Sequence, residues 1–268
     1  MGSIFATTGA ALCDLEALLL PVACLGCGAA LPAASAGDAC CAVCRSRMRA
    51  PGPPACPRCG QPRDPWDSAV RRGGGAVRAG DGRGPEPAEG DGCGFCRHWP
   101  DALAWAASAV WMEGGPAREL VHALKYGGWR VAAGPMADRM VRQLAGRLRE
   151  VDVLVPVPLG SRRLRERGYN QAAVLAAALA VRLGARFEEG VLARSRETRS
   201  QTTLSPAERW RNVAGAFVAT GSPGGARVVV VDDVLTTGAT LAACAAALAS
   251  RGVQGVGAAT FARAAVPD

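Results

Sequence analysis

The sequence predicts an α/β protein, a parallel sheet flanked by helices, behind a small module built on cysteine pairs. Three observations carry this. Over residues 101–268, β-branched apolar runs alternate with Ala/Leu-rich helical stretches, the pattern of parallel strands joined by crossover helices. Four CxxC pairs fall within residues 1–100. Between 228 and 240 the chain reads VVVVDDVLTTGAT, a strand buried on both faces that ends on two carboxylates and enters a hydroxyl-rich turn.

The expected organisation is an N-terminal helix and cysteine module over 1–100, with a mobile Gly/Pro/charge-rich insertion at 62–92, then the α/β domain over 101–268. The apolar stretch AALCDLEALLLPVACLG contains Asp14 and Glu16 and has no basic leader. It reads as a helix packing on the next module, not as a signal peptide or a membrane span, so a cytoplasmic protein without membrane contact is expected.

Eight cysteines form the pairs Cys24/Cys27, Cys41/Cys44, Cys56/Cys59 and Cys93/Cys96. Eight thiolates suffice for two tetrahedral zinc sites, and repeated CxxC in a cytosolic chain favours metal over disulfides. Consecutive pairing groups the first four and the last four; a crossed pairing stays open. Closed four-thiolate sites leave no open coordination position, so the zinc is expected to be structural. Cys13 and Cys40 are spare, with Cys40 able to exchange for Cys41, and His98 reads as a surface residue.

The net charge is +8, of which residues 1–100 contribute +1 and residues 101–268 contribute +7. The positive excess therefore lies with the α/β domain, where it would attract a polyanion such as a phosphorylated sugar or a nucleic acid. Lys125 is the only lysine; all other basic residues counted are arginine. A lone lysine in that background points to a position that needs a compact ammonium.

In chain order, ALAWAASAVWME reads as a strand and GPARELVHALKYGG as a helix with Leu120, Val121 and Leu124 on one face, ended by Gly127 and Gly128. A helix through Met136–Leu148 follows, then the strand VDVLVPVPLG, stopped by Pro156 and Pro158. SRRLRERGYNQ reads as a pyrophosphate-facing flap, because forked guanidinium donors match phosphate oxygens. Asn170 caps the helix QAAVLAAALAVRLG. A second polar cluster holds Arg194, Arg196, Arg199, Gln201, Arg209 and Arg211. Ser205, Pro206 and Glu208 mark a helix start. GAFVAT is a short strand, and after the 228–240 stretch come a helix over 239–251 and a last strand, GVGAATFARA. Cys244 reads as core. Tyr169 is either a stacking platform or a core residue.

The Thr236, Thr237, Gly238, Ala239 and Thr240 turn aims N–H groups, hydroxyls and a helix N-terminus at one point, which suits a phosphate dianion. Asp232 and Asp233 cannot serve an anion. They suit sugar hydroxyls or Mg2+. A site for both describes a ribose 5-phosphate. Walker-type phosphate loops and GxGxxG fingerprints are absent.

This stretch resembles the signature of type I phosphoribosyltransferases, which hold phosphoribosyl pyrophosphate (PRPP). With HALKYGG (122–128), VPVPL (155–159), RRLRERGYNQA (162–172), RETRSQTTLSPAERWRN (196–212), GAF (215–217) and the CxxC pairs, nearly the whole chain resembles the ComF family, which includes late competence and GntX-like proteins. The resemblance implies a type I phosphoribosyltransferase fold preceded by a zinc ribbon, and a link to handling single-stranded DNA during transformation. It implies that Thr236 to Thr240 seat the 5-phosphate and that Asp232 and Asp233 serve catalysis by holding the ribose hydroxyls and Mg2+. Val157, Pro158 and Leu159 would face the pyrophosphate through their backbone, with Arg162, Arg163, Arg165 and Arg167 closing over it. Lys125 and Tyr126 would contact pyrophosphate or acceptor. The alternative is a non-catalytic PRPP sensor or scaffold that binds single-stranded DNA or a competence helicase. Few aromatics are expected near the basic stretches, which argues against base stacking.

Overall fold

In a computed structural model the structure describes residues 22–32, 39–63, 93–198, 204–224, 226–253 and 255–265. The expected N-terminal helix up to residue 21, Cys13, Arg199, Gln201 and the insertion from residue 64 to 92 lie outside the described residues.

After a short helix α1 (Ala42–Arg47) the chain enters β1 (Leu103–Trp111), α2 (Gly115–Tyr126), α3 (Ala133–Gln143), α4 (Ala145–Leu148) and β2 (Val153–Pro156). Then come α5 (Ser161–Arg167), α6 (Gln171–Leu183), β3 (Arg186–Phe187), β4 (Leu192–Arg194), α7 (Pro206–Val213), β5 (Phe217–Ala219), β6 (Val228–Leu235), α8 (Ala239–Ala249) and β7 (Val256–Arg263). Strands β1, β7, β6, β2 and β3 form one parallel sheet in that order, and β4 and β5 pair as a separate antiparallel ribbon. The parallel α/β sheet expected from the sequence is thus present. β6 sits at its middle because Val228 to Val231 are buried on both faces.

One face of the sheet packs Leu120, Val121, Met136 and Leu175 from α2, α3 and α6; the other packs Leu241, Cys244 and Leu248 from α8. Cys244 is core, as expected. The two cysteine groups join opposite faces: Cys24, Cys40 and Cys44 belong to the first apolar cluster, and Cys56, Cys59 and Cys96 to the second. Backbone of the cysteine module meets the outer edge of β1 at two points. Ala106 N–H donates to Arg58 O and Trp111 N–H to Arg49 O, each at 2.8 Å, so two of its outward N–H groups are taken up.

The caps follow the sequence. Asn170 Oδ1 accepts from Ala172 N–H at 3.1 Å, while its amide donates to Val157 O at 3.0 Å. Ser205 and Glu208 form a reciprocal capping box. Three expectations are corrected. The 162–167 stretch is no flap loop but the helix α5, closed by Gly168 in the left-handed region; Glu197 caps it, accepting from Ser161 Oγ and Arg162 N–H. The helix expected over Met136–Leu148 starts at Ala133 and breaks at Leu144, whose φ of −108° and ψ of 16° leave the helical region. The helix expected over 239–251 ends at Ala249. Strands β3 and β4 were not expected, being two and three residues long.

Candidate functional site

β6 carries Asp232 and Asp233 at its carboxyl end, where ligands bind in open α/β sheets. Consecutive strand residues face opposite sides. Asp233 turns toward α2, where Lys125 Nζ lies 2.9 Å from its Oδ1. Its other oxygen, Oδ2, is buried and has no partner among the described residues. An unpartnered buried carboxylate oxygen is costly, and it fits a site that receives a cation or a hydroxyl from a ligand. Asp232 Oδ1 accepts the N–H of Asp233 at 2.8 Å. Burial and the neighbouring Asp233 charge push the Asp232 carboxyl up to about 7, against Lys125, that N–H and Arg194. Burial works against the Lys125 ammonium, but Asp233 and Asp232 hold its pKa above the ordinary value.

The turn after β6 leads into α8 through Gly238, whose φ of +81° few other residues adopt. Gly238 has no side chain to cap α8, and a helix N-terminus at a strand end favours an anion. Thr236, Gly238 and Thr240 line an open cleft of about 970 Å³. Thr237 lies behind them, its Oγ1 accepting from Ala239 N–H at 3.4 Å and its carbonyl held by Trp99; Ala239 is buried.

Val157, Pro158 and Leu159 also line the cleft, together with Lys125, Tyr126, Arg162, Arg163 and Arg167. Arg165, on the same helix, is exposed and does not line the cleft. Tyr169 is buried; its hydroxyl donates to Leu124 O, and the Arg130 guanidinium stands 4.6 Å over its ring. That makes it a core residue and not an open stacking platform.

Arg194 and Arg209 also line the cleft, and sequence reasoning gave neither a role. Arg194 leaves β4 over the Phe217 ring at 5.3 Å and donates to Thr198. Burial lowers its pKa, as does the nearby Arg163. The only signal was arginine density in 194–211, which did not separate these two from Arg196, tied to the Asn212 and Ala214 carbonyls. The cleft lining holds six cationic side chains against three carboxylates, Glu166, Asp232 and Asp233.

The cysteines assemble into two four-thiol groups, Cys24/Cys27/Cys41/Cys44 and Cys56/Cys59/Cys93/Cys96, with ligand atoms within 4.8 Å of one another. The consecutive pairing is the one adopted. Backbone N–H groups of Cys41 and Gly26 point at Cys24 Sγ at 3.2 and 3.4 Å. Against burial, they lower its pKa to about 6. A Cβ at Gly26 would fit tightly, 3.0 Å from Cys44 Sγ and 3.1 Å from Pro116 Cβ. Cys40 stays outside the group, and burial pushes its thiol up to about 12. These are two four-cysteine zinc-binding sites, and His98 is exposed beside the second.

A family model described as "Phosphoribosyl transferase domain" matches residues 169–267, and one described as "Double zinc ribbon domain" matches residues 15–74. The chain carries a phosphoribosyl transferase domain behind a double zinc ribbon. It is similar to the DNA utilization protein YhgH of Salmonella typhi, 36% identical over 146 residues, which are 53% of this chain and 64% of that protein. The protein of the same name from Escherichia coli K12 is 32% identical over 146 residues, with the same coverage. Competence protein F of Haemophilus influenzae is 36% identical over 106 residues, 38% of this chain and 46% of that one. The matches span less than two thirds of these relatives' length. The domains and relatives bear out the resemblance to the ComF family. No helix among the described residues is long and apolar enough to cross a membrane.

Two outcomes test the site's construction. Metal analysis of the purified phosphoribosyl transferase–zinc ribbon chain is expected to return about two zinc ions; a value near zero with oxidised thiols would overturn the ribbon. Lys125→Met strands a buried Asp233 charge and is expected to cost about 3 kcal/mol in denaturant unfolding, with part of the loss recovered in the Lys125→Met, Asp233→Asn double variant. Full additivity of the two changes would break the pair.

Proposed function

We propose that this protein binds PRPP with Mg2+ and transfers its phosphoribosyl group to a nitrogen nucleophile, in a process connected with DNA utilization. The observation that carries this reading is the buried, unpartnered Asp233 Oδ2 beside Lys125, on the strand whose end leads into the N-terminus of α8. Carboxylates and a phosphate cradle at one strand end are the two halves that a ribose 5-phosphate needs.

In this reading Thr236, Gly238, Thr240 and the first N–H groups of α8 hold the 5-phosphate, and Asp232 and Asp233 accept the ribose hydroxyls. The same carboxylates would hold Mg2+, which supplies charge neutralisation on the pyrophosphate oxygens. The turn at Val157, Pro158 and Leu159 receives the pyrophosphate, with Arg162, Arg163 and Arg167 at the mouth. The bond from ribose C1 to the pyrophosphate oxygen breaks with its electron pair leaving on pyrophosphate. The acceptor nitrogen forms the new bond to C1 and gives up a proton. Guanidinium groups at the mouth stabilise the charge that develops on the leaving group. A phosphate ester and a pyrophosphate carry about five negative charges, about three beside one Mg2+, which the cationic surplus of the cleft matches.

A second reading has its own support. Tyr126 and Trp129 are 65% and 54% exposed, and Arg167 stands 5.4 Å over the Tyr126 ring. Exposed aromatics among arginines suit stacked bases of a single strand, which revises the expectation that the basic stretches lack them. The names of the relatives refer to DNA utilization and competence. In this reading the phosphoribosyl transferase fold is a scaffold, and single-stranded DNA, or a helicase that carries it, is the partner.

Calorimetric titration with PRPP and Mg2+ separates the readings, and it also has a pH signature. A carboxyl that titrates near 7 must be ionised to accept hydroxyls or a cation, so affinity is present above that value and lost below it. Binding at about pH 6 is expected to be about tenfold weaker than at about pH 8, with the step removed in Asp232→Asn, which controls for titration of the ligand itself. A pH profile identical in the variant would exclude Asp232 from the site. No PRPP binding, with oligo-dT binding lost in Trp129→Ala, would leave the second reading.

A further inference from the structure

Trp99 links the second cysteine group to the turn assigned to the 5-phosphate. It follows Cys96 by three residues, and its N–H donates to Cys96 O at 3.0 Å. The indole is 4% exposed and its Nε1–H donates to Thr237 O at 3.2 Å. The ring lies on Gly238 so closely that a Cβ there would stand 2.5 Å from Trp99 Cζ2. Gly238 is therefore required twice, by its φ of +81° and by the indole above it.

The support of Trp99 comes from the ribbon. Arg58, between Cys56 and Cys59, donates to Cys96 O and Trp99 O at 3.3 Å and to Pro100 O at 2.8 Å. Phe95 meets the indole edge-on at 5.8 Å. Arg263, buried at the end of β7, lies 4.4 Å over Phe95 and donates to Cys59 O at 2.7 Å. Each hydrogen bond fixes backbone between the cysteines and the sheet, so the knuckle, the indole and the turn after β6 form one packed unit.

We propose that Trp99 is a positioning residue for the phosphate-binding turn, and that the second zinc ribbon serves the site by holding this indole against Thr237 and Gly238. The inference rests on the phosphoribosyl reading for its ligand, but the mechanical coupling stands on the contacts alone. The indole fixes the direction of the Thr237 carbonyl and the αL geometry of Gly238, and these set where the N–H groups of Ala239 and Thr240 point.

The test compares Trp99→Phe, which keeps a ring but removes the donor, Trp99→Leu, and a control at the exposed neighbour, His98→Ala. Zinc content and the far-ultraviolet spectrum establish that each variant is folded. Amide hydrogen exchange across 236–241 is measured without ligand, and binding of ribose 5-phosphate and of Mg2+–pyrophosphate is measured separately. Loss of the hydrogen bond in Trp99→Phe is expected to weaken ribose 5-phosphate by about fivefold, with Trp99→Leu weaker still, faster exchange across the turn, and pyrophosphate binding unchanged. The control matches the native chain. Unchanged exchange and unchanged ribose 5-phosphate affinity in folded Trp99 variants would overturn the proposal, as would equal weakening of both ligands. If the native protein binds neither ligand, the phosphoribosyl reading fails, and exchange across 236–241 alone decides for or against the coupling.

Discussion

The contact between Lys125 and Asp233 joins the end of α2 to the end of the central strand, and much of the molecule is arranged to keep both partners in place. β6 cannot shift along its axis, because it is paired in register with β2 on one side and β7 on the other. Gly26 of the first cysteine group lies close to Pro116 at the start of α2, and the last turn of α2 is held by the Tyr169 hydroxyl on Leu124 O. A buried ion pair is weak evidence for stability, since desolvation offsets much of the attraction. Its value here is geometric. With one oxygen of Asp233 neutralised, the second can remain buried without the carboxylate being expelled to water.

The zinc ribbons have a comparable logic. A parallel sheet needs both faces covered, and its first strand, β1, lies at an edge. One cysteine group packs on each face, and the backbone between them hydrogen-bonds along β1. A segment with so few apolar side chains could not hold that position through its own core; metal–thiolate bonds supply the rigidity instead. The same segment holds the Trp99 indole against Thr237 and Gly238, at the turn after β6.

The sequence made legible whatever depends on local pattern. VVVVDD needs only burial on two faces to be read as a central strand, CxxC only its spacing, and Ser205–Pro206–Glu208 only the chemistry of a helix start. What it hid depends on contacts between distant segments. Asp233 and Lys125 are 108 positions apart, and nothing in HALKYGG announces that its lysine meets the second aspartate and not the first. Trp99 and Thr237 are 138 positions apart, and a tryptophan beside a cysteine pair looks like ordinary core. Four arginines in SRRLRER read as a flap because their charge dominates the pattern. The helix they form depends on Glu197, whose approach to Ser161 and Arg162 is possible because Gly160 has no Cβ: one placed there would lie 2.6 Å from Glu197 Oε2.

That Lys125 is a lysine, in a chain whose other basic residues are all arginine, now has a physical account. A guanidinium engages a carboxylate with two parallel N–H donors and so takes both oxygens. An ammonium is a point charge that binds one. At Asp233 the ammonium occupies Oδ1 and leaves Oδ2 without a partner. An arginine at the same position would engage both oxygens and compete with a ligand at Oδ2. The lysine therefore stabilises the charge of Asp233 while leaving Oδ2 unengaged. The residue was singled out by composition, but its reason lies in the geometry of one carboxylate.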